Sequence, residues 1–249
     1  HRLNVRGVEL YHEDHGPRGP GSRDPVLVLH GGTAFIETMG GLIAPLAVNH
    51  RVIAVDTRGH GRSTDNDEPL SYASIADDML ALLTALHIER ASVVGWSDGG
   101  IVGLHMALRH PERVNRLVAI GANYRTDGYT VSGRALINGL RPDAPELADA
   151  RSFYERVAID PTKWPVLIRK VKEMWLREPN YTNAELSKIK APTLLVLGEH
   201  DDIRKDHAEK MVRLMPHARL MVVGGASHML PLENPPGFDA AITGFLGER

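Results

Sequence analysis

The chain has 249 residues, 43% apolar and 24% charged, which is long enough to bury a sizeable core as one α/β domain and ordinary for a soluble globular protein. Its 29 Lys and Arg against 31 Asp and Glu exclude the basic footprint of a nucleic-acid or anionic-membrane binder, and the absence of cysteine excludes disulfides, a thiolate nucleophile and a cysteine-ligated metal. No apolar run approaches the length that spans a bilayer and the first seven residues lack a signal-like apolar core, so a cytoplasmic protein is expected.

From the N-terminus, Glu9-Leu10-Tyr11-His12-Glu13 alternates in polarity and predicts an antiparallel edge strand. Val26-Leu27-Val28-Leu29 is a continuous apolar run, followed along the chain by Val52-Ile53-Ala54-Val55, Val93-Val94, Leu117-Val118-Ala119-Ile120, Leu194-Leu195-Val196-Leu197 and Leu220-Met221-Val222-Val223. Runs of this kind are strands covered on both faces of a parallel sheet. Helical spacing over Ser74 to Leu86, Gly100 to Arg109, Asp206 to Met215 and Phe238 to Leu246 alternates with them, which predicts an α/β fold with a mostly parallel, doubly covered sheet.

The rhythm breaks between Asn123 and Ser187. No strand-like run occurs there, and helical fragments fall around Arg134 to Leu140, Glu146 to Val157 and Val166 to Leu176. We therefore expect residues 1–122 and 188–249 to form the core of one folding domain, with 123–187 inserted as a helical cap. The insertion carries Tyr124, Tyr129, Phe153, Tyr154, Trp164, Trp175 and Tyr181. Trp164 and Trp175, together with Trp96, are candidate substrate contacts, although a small helical subdomain also needs large side chains for its own core.

The chemistry-bearing segment is Gly95-Trp96-Ser97-Asp98-Gly99-Gly100, set between the strand at Val93-Val94 and a helix. A G-x-S-x-G turn in that setting is a nucleophile elbow, holding a serine in a strained conformation at a strand's carboxyl end. Gly95 and Gly99 are where a Cβ would collide as strand and helix pack across the turn. A serine hydroxyl needs a base, usually a histidine oriented by a carboxylate, and here both should follow on later strand-ending loops. Gly198-Glu199-His200-Asp201-Asp202 and Gly224-Gly225-Ala226-Ser227-His228 supply them, so Asp201 is assigned as the orienting acid and His228 as the base. Asp202 competes with Asp201, and spacing from Gly198 favours the first. Glu199 to His207 also holds two histidines and four carboxylates, but a helix starting near Lys205 would separate them, so no metal is expected.

Acyl transfer also requires donors for the developing oxyanion. The backbone N–H of Asp98, at the start of the helix, is one; the second is assigned to Gly32 in His30-Gly31-Gly32-Thr33, with Thr33 as the alternative. No Gly-Lys-Ser/Thr or G-x-G-x-x-G is present, so no nucleotide cofactor is expected.

These five motifs, with Asp56-Thr57-Arg58-Gly59-His60-Gly61-Arg62-Ser63 among them, resemble the α/β-hydrolase superfamily over essentially the whole chain. The resemblance implies the α/β-hydrolase fold and a cofactor-independent serine hydrolase acting on a small-molecule carboxylic ester, or a related amide, thioester or lactone. It also implies a bracing role for the Asp56 to Ser63 loop, which is left out of the catalytic set. Ser97 argues against the dehalogenases and epoxide hydrolases of this fold, which place aspartate there. Carbon–carbon bond hydrolases, perhydrolases, aminopeptidases, a biosynthetic lyase or cyclase and a non-catalytic ligand-binding receptor stay open. The elbow hexapeptide is similar to that of valacyclovir-hydrolase-like esterases, which implies that the Asp98 side chain attracts a substrate amino group; the alternative is that it caps the helix or faces solvent while only its amide works.

Overall fold

The computed structural model describes residues 1–19 and 21–248. Its centre is an eight-stranded sheet in the order β1-β2-β4-β3-β5-β6-β7-β8. β1 (Arg2–Val5) and β2 (Val8–His15) form a hairpin, and β2 runs antiparallel to β4 (His50–Val55). β3 (Arg23–Leu29), β5 (Ala91–Trp96), β6 (Val114–Ile120), β7 (Thr193–His200) and β8 (Ala218–Ser227) are parallel to one another and to β4. All six apolar runs lie in strands. The Glu9 to Glu13 strand is antiparallel as expected but is not the edge. The edge is β1, joined to it through Arg6 and Gly7, both at positive φ (51° and 79°), a two-residue turn that matches the twist of the flanking strands. An Arg-Gly turn lacks the usual Asn-Gly or Asp-Gly signal, which hides the hairpin in the sequence.

Continuous apolar runs are explained by burial on both sides. Leu27, Leu29, Ile53, Val55, Val93, Leu117 and Ala119 face the layer of α2 (Tyr72–Ala85) and α3 (Asp98–Arg109). Their neighbours Val26, Val28, Val52, Ala54, Val94, Val118 and Ile120 face α1 (Gly40–Leu46) and α10 (Phe238–Leu246). α1 carries Gly40, Gly41 and Pro45, poor helix formers, and is legible only through its burial of Leu42, Ile43 and Leu46. Between β6 and β7 the chain forms α4 (Val131–Gly139), α5 (Ala148–Val157), α6 (Trp164–Arg177) and α7 (Asn183–Leu186). α8 (Lys205–Leu214) and α9 (Leu230–Glu233) follow β7 and β8.

From β3 the chain steps outward to β4, then crosses back to β5 on the other side of β3. The sheet order reverses direction here, so the loops leaving β3 and β5 are adjacent at the carboxyl end, where such folds open a crevice. The loop after β4 is braced as expected. Asp56 accepts from the amides of Ile36 (2.9 Å) and Arg62 (3.0 Å), and the buried Arg58 guanidinium makes a two-pronged pair with Asp78 of α2 (2.5 and 2.7 Å).

Backbone packs closely against backbone at the elbow. A Cβ on Gly95 would overlap the backbone of Gly99, and one on Gly99 would overlap the carbonyl of Leu29. Gly99→Ala should therefore lower stability by about 3 kcal/mol, read as a lower urea midpoint at unchanged slope. Gly139→Ala, where the added Cβ would meet nothing within 4 Å, should shift stability by less than about 1 kcal/mol, toward greater stability.

Candidate active site

Ser97 is the junction between β5 and α3. Its backbone sits at φ 52° and ψ −115°, a region that costs a non-glycine residue on the order of 1–3 kcal/mol and persists only where packing enforces it. The strain presents the hydroxyl to the loop after β8, where Ser97 Oγ donates to His228 Nε2 at 3.1 Å. His228 Nδ1–H donates to Asp201 Oδ1 at 2.8 Å. Asp201 is held in turn by the amides of Ile203 (3.0 Å, to Oδ1) and Gly198 (3.2 Å, to Oδ2). The three side chains assigned from sequence are thus hydrogen-bonded in series through Asp201, while Asp202 lies in the wall of the cavity over Ser97. Trp96 Nε1 donates to the His228 carbonyl at 2.8 Å, fixing the backbone that carries the imidazole.

The turn after β3 runs beside the elbow. Its His30 Nδ1–H donates to the Gly31 carbonyl (2.7 Å) while Nε2 accepts from the Thr57 amide (3.0 Å). The Thr33 amide donates to His60 Nε2 (3.3 Å), which commits that N–H to the loop after β4 and disfavours Thr33 as an oxyanion donor relative to Gly32. The residues of the Glu199 to His207 segment diverge: Glu199 accepts from the Gly225 amide, Asp201 holds His228, and His207 accepts from the Tyr124 amide.

A cavity of about 700 Å³ opens over Ser97 and His228. Its walls are mainly apolar: Phe35, Trp96, Tyr129, Leu136, Ile137, Leu140, Leu147, Phe153, Trp175, Met229 and Leu232, with Gly31 and Gly32 at its base. Trp96 and Trp175 are therefore where the sequence places substrate contacts. Trp164 is not. It is buried in the packing of α6 beside Tyr154, donates to the Pro142 carbonyl at 2.8 Å and is absent from the cavity wall, because its position on α6 faces inward. Tyr124 stacks on His207 and Tyr181 pairs with His105, so these also serve packing. Asp98 departs from both expectations for its side chain. It neither lines the cavity nor caps the helix; its carboxylate is buried and accepts from Tyr72 Oη (2.8 Å) and Trp175 Nε1 (2.8 Å). Neither partner is signalled by local sequence.

The sequence profile of the alpha/beta hydrolase family matches residues 26–241. The chain belongs to this family. Among its relatives is a protein of Azorhizobium caulinodans with the provisional name carbamate hydrolase RutD, 29% identical over 97% of this chain and 96% of the relative. The mouse serine hydrolase BPHL is 30% identical over 98% of this chain and 85% of its own, in keeping with the elbow resemblance. The solved structure of the meta-cleavage product hydrolase CumD from Pseudomonas fluorescens IP01 superposes with a TM-score of 0.79 at 25% identity, covering 98% of this chain and 96% of that one. The eight-stranded sheet and its flanking helices are the α/β-hydrolase fold expected from the motifs.

In this α/β hydrolase the electrostatics follow from burial. For His228, burial favours the neutral form, but the hydrogen bond and charge of Asp201, with Asp202 and Asp98 beyond, outweigh it and lift the imidazole above its ordinary value. Asp98 is pushed up to about 6 by burial, against the opposing hydrogen bonds from Trp175 and Tyr72. Burial lowers His30 to about 4; burial and then the neighbouring His30 lower His60 to about 3. These two imidazoles stay neutral in the folded state while the unfolded chain takes up protons below about pH 6.5, so their contribution is complete above that pH and is lost on acidification. Each should cost about 2 kcal/mol between pH 6.5 and 5. Urea titrations at the two pH values will show it, and His60→Gln should remove that one histidine's share of the pH-dependent loss.

Proposed function

We propose that this α/β hydrolase is a cofactor-independent serine hydrolase that cleaves a small carboxylic ester through an acyl-enzyme. The single observation that carries the reading is the continuous relay from Ser97 Oγ through His228 to Asp201, at 3.1 and 2.8 Å, opening into an apolar cavity. Ser97 Oγ attacks the ester carbonyl as His228 Nε2 accepts its proton. The carbonyl oxygen becomes an oxyanion at the amides of Gly32 and Asp98, the latter at the positive end of α3. Collapse of the tetrahedral adduct expels the alcohol, which takes the proton from His228. Water, activated by the same imidazole, then releases the acid and restores Ser97. Asp201 keeps the Nδ1–H tautomer and stabilises the imidazolium. The helices between β6 and β7 act as a cap that shapes the acyl pocket.

The cavity wall also bears on which ester. Its described residues include the carboxylates of Glu37, Glu146, Asp149 and Asp202 and no lysine or arginine, so an anionic substrate would meet like charge without a counter-ion. The fit is to uncharged, apolar acyl groups. On this ground the carbon–carbon cleavage of dienoate substrates is less well matched, although the relay itself is compatible with it.

A fluorophosphonate probe should label the protein and Ser97→Ala should abolish both labelling and turnover of 4-nitrophenyl butyrate; an unlabelled folded protein would refute the reading. The 4-nitrophenyl hemisuccinate should be hydrolysed with kcat/KM about tenfold lower or worse, the equivalent of about 1.4 kcal/mol in the transition state. Because the base must be neutral, activity should rise with pH through a midpoint above about 6.5. Asp201→Asn should remove the partner that raises His228, shift that midpoint downward and lower kcat by about 10³–10⁴.

A further inference from the structure

The Asp98 carboxylate lies directly behind Ser97, is 6% exposed, and is not part of the cavity wall. Its oxygens are occupied: Oδ1 accepts from Tyr72 Oη and Trp175 Nε1 at 2.8 Å each, and Oδ2 accepts from Trp175 Nε1 at 2.9 Å. Tyr72 opens α2 of the core, and its own amide donates to Glu178 just beyond α6 (3.1 Å). α6 is tied down further along by Lys170, whose Nζ donates to Asp65 (2.6 Å) and to the Asn66 carbonyl (2.5 Å). One edge of the helix that carries Trp175 is thus fastened to the core at three points.

The decisive contact is on the other side. A Cβ on Gly32 would overlap Asp98 Oδ2 and come within 2.5 Å of Trp175 Cζ2, so the backbone of the turn after β3 rests against the carboxylate and the indole together. Gly32 is the residue whose amide is proposed above as an oxyanion donor. Trp175 is at once a wall of the cavity and a stop behind that amide. A substrate ammonium would have to displace Trp175 or Tyr72 to reach the carboxylate.

We propose that the Asp98 side chain is a positioning residue: by holding the Trp175 indole against Gly32, it makes α6 set both the acyl pocket and the oxyanion turn. This rests on the ester-hydrolase reading for its kinetic consequences. The oxyanion role proposed for Asp98 belongs to its amide N–H, which a side-chain substitution keeps; changing the carboxylate alters its bonds to Trp175 and Tyr72, and comparison with the Trp175→Phe background isolates the first. In Asp98→Asn the side-chain shape is kept, but one oxygen becomes an N–H donor that opposes the indole N–H.

The test uses the full chain, the variants Asp98→Asn and Trp175→Phe, and their double variant, each checked for a native melting transition. With 4-nitrophenyl acetate, each single variant should lose about 10- to 100-fold in kcat with KM changed by less than about threefold, since part of the oxyanion stabilisation is lost. The double variant should be no worse than the poorer single one, because residues acting through one another are not additive. The ratio of rates on alanine benzyl ester and benzyl propanoate should stay within about twofold of the unmodified enzyme in Asp98→Asn. Tryptophan emission should shift to the red in Asp98→Asn, and the shift should vanish in the Trp175→Phe background. Losses that multiply in the double variant, a tenfold fall in the amino-ester ratio alone, or a red shift that persists without Trp175 would each overturn the proposal. Absence of turnover by the unmodified protein would instead refute the ester-hydrolase reading, and the emission comparison would still decide whether Asp98 holds Trp175.

Discussion

The closure of α3 onto β5 across a single residue is the constraint on which the rest of the site depends. Two glycines make it possible: Gly95 lies against the backbone of Gly99, and Gly99 against the carbonyl of Leu29 on the neighbouring strand. With no side chain between them, helix and strand approach closely enough to force Ser97 into a conformation that it would not adopt in a free peptide. The cost is carried by the core on both sides of the sheet, where every residue of β5 is buried. The same closure points the amino end of α3 at the place where the proposed reaction would build negative charge.

Around this junction the protein buries an unusual set of titratable groups and keeps each in a defined state by a different means. Arg58 and Asp78 are both charged and satisfy each other in a planar, two-pronged pair that links the loop after β4 to α2. His30 and His60 have no carboxylate partner among the described residues and remain neutral, each accepting a backbone amide on Nε2, so they act as rigid spacers between two loops. His228 differs from them chiefly by its bond to Asp201, which with the charges of Asp201, Asp202 and Asp98 reverses the direction in which burial would drive it. Three imidazoles near the elbow thus split into two neutral braces and one raised by its carboxylate neighbours.

Relatives at similar identity carry names as different as carbamate hydrolase and meta-cleavage product hydrolase. The fold alone therefore does not name the reaction. In this chain the segment between β6 and β7 contributes Tyr129, Leu136, Ile137, Phe153 and Trp175 to the cavity wall, while Tyr154 and Trp164 pack its helices together. The link from Trp175 to Asp98 connects those helices to the core beneath them.

Much of this was legible in the sequence, and the reason is that the signals were local. Doubly buried strands read as unbroken apolar runs, a strained elbow demands glycines two residues either side of its serine, and a strand-ending loop announces itself by glycine and a polar cluster. Ser97, Asp201 and His228 could be chosen on those grounds because their order along the chain follows the order of the strands. Tertiary structure alone decided where side chains point. It separated Asp201 from Asp202, assigned Trp175 to the cavity and Trp164 to the interior, and placed β1 outside β2. It also supplied Asp98 with partners 26 and 77 residues away, turning a carboxylate that sequence offered to the substrate into a fastening between core and α6. Backbone sterics act over a few residues and can be read along the chain, whereas the direction of a side chain depends on segments that meet only when the sheet is covered.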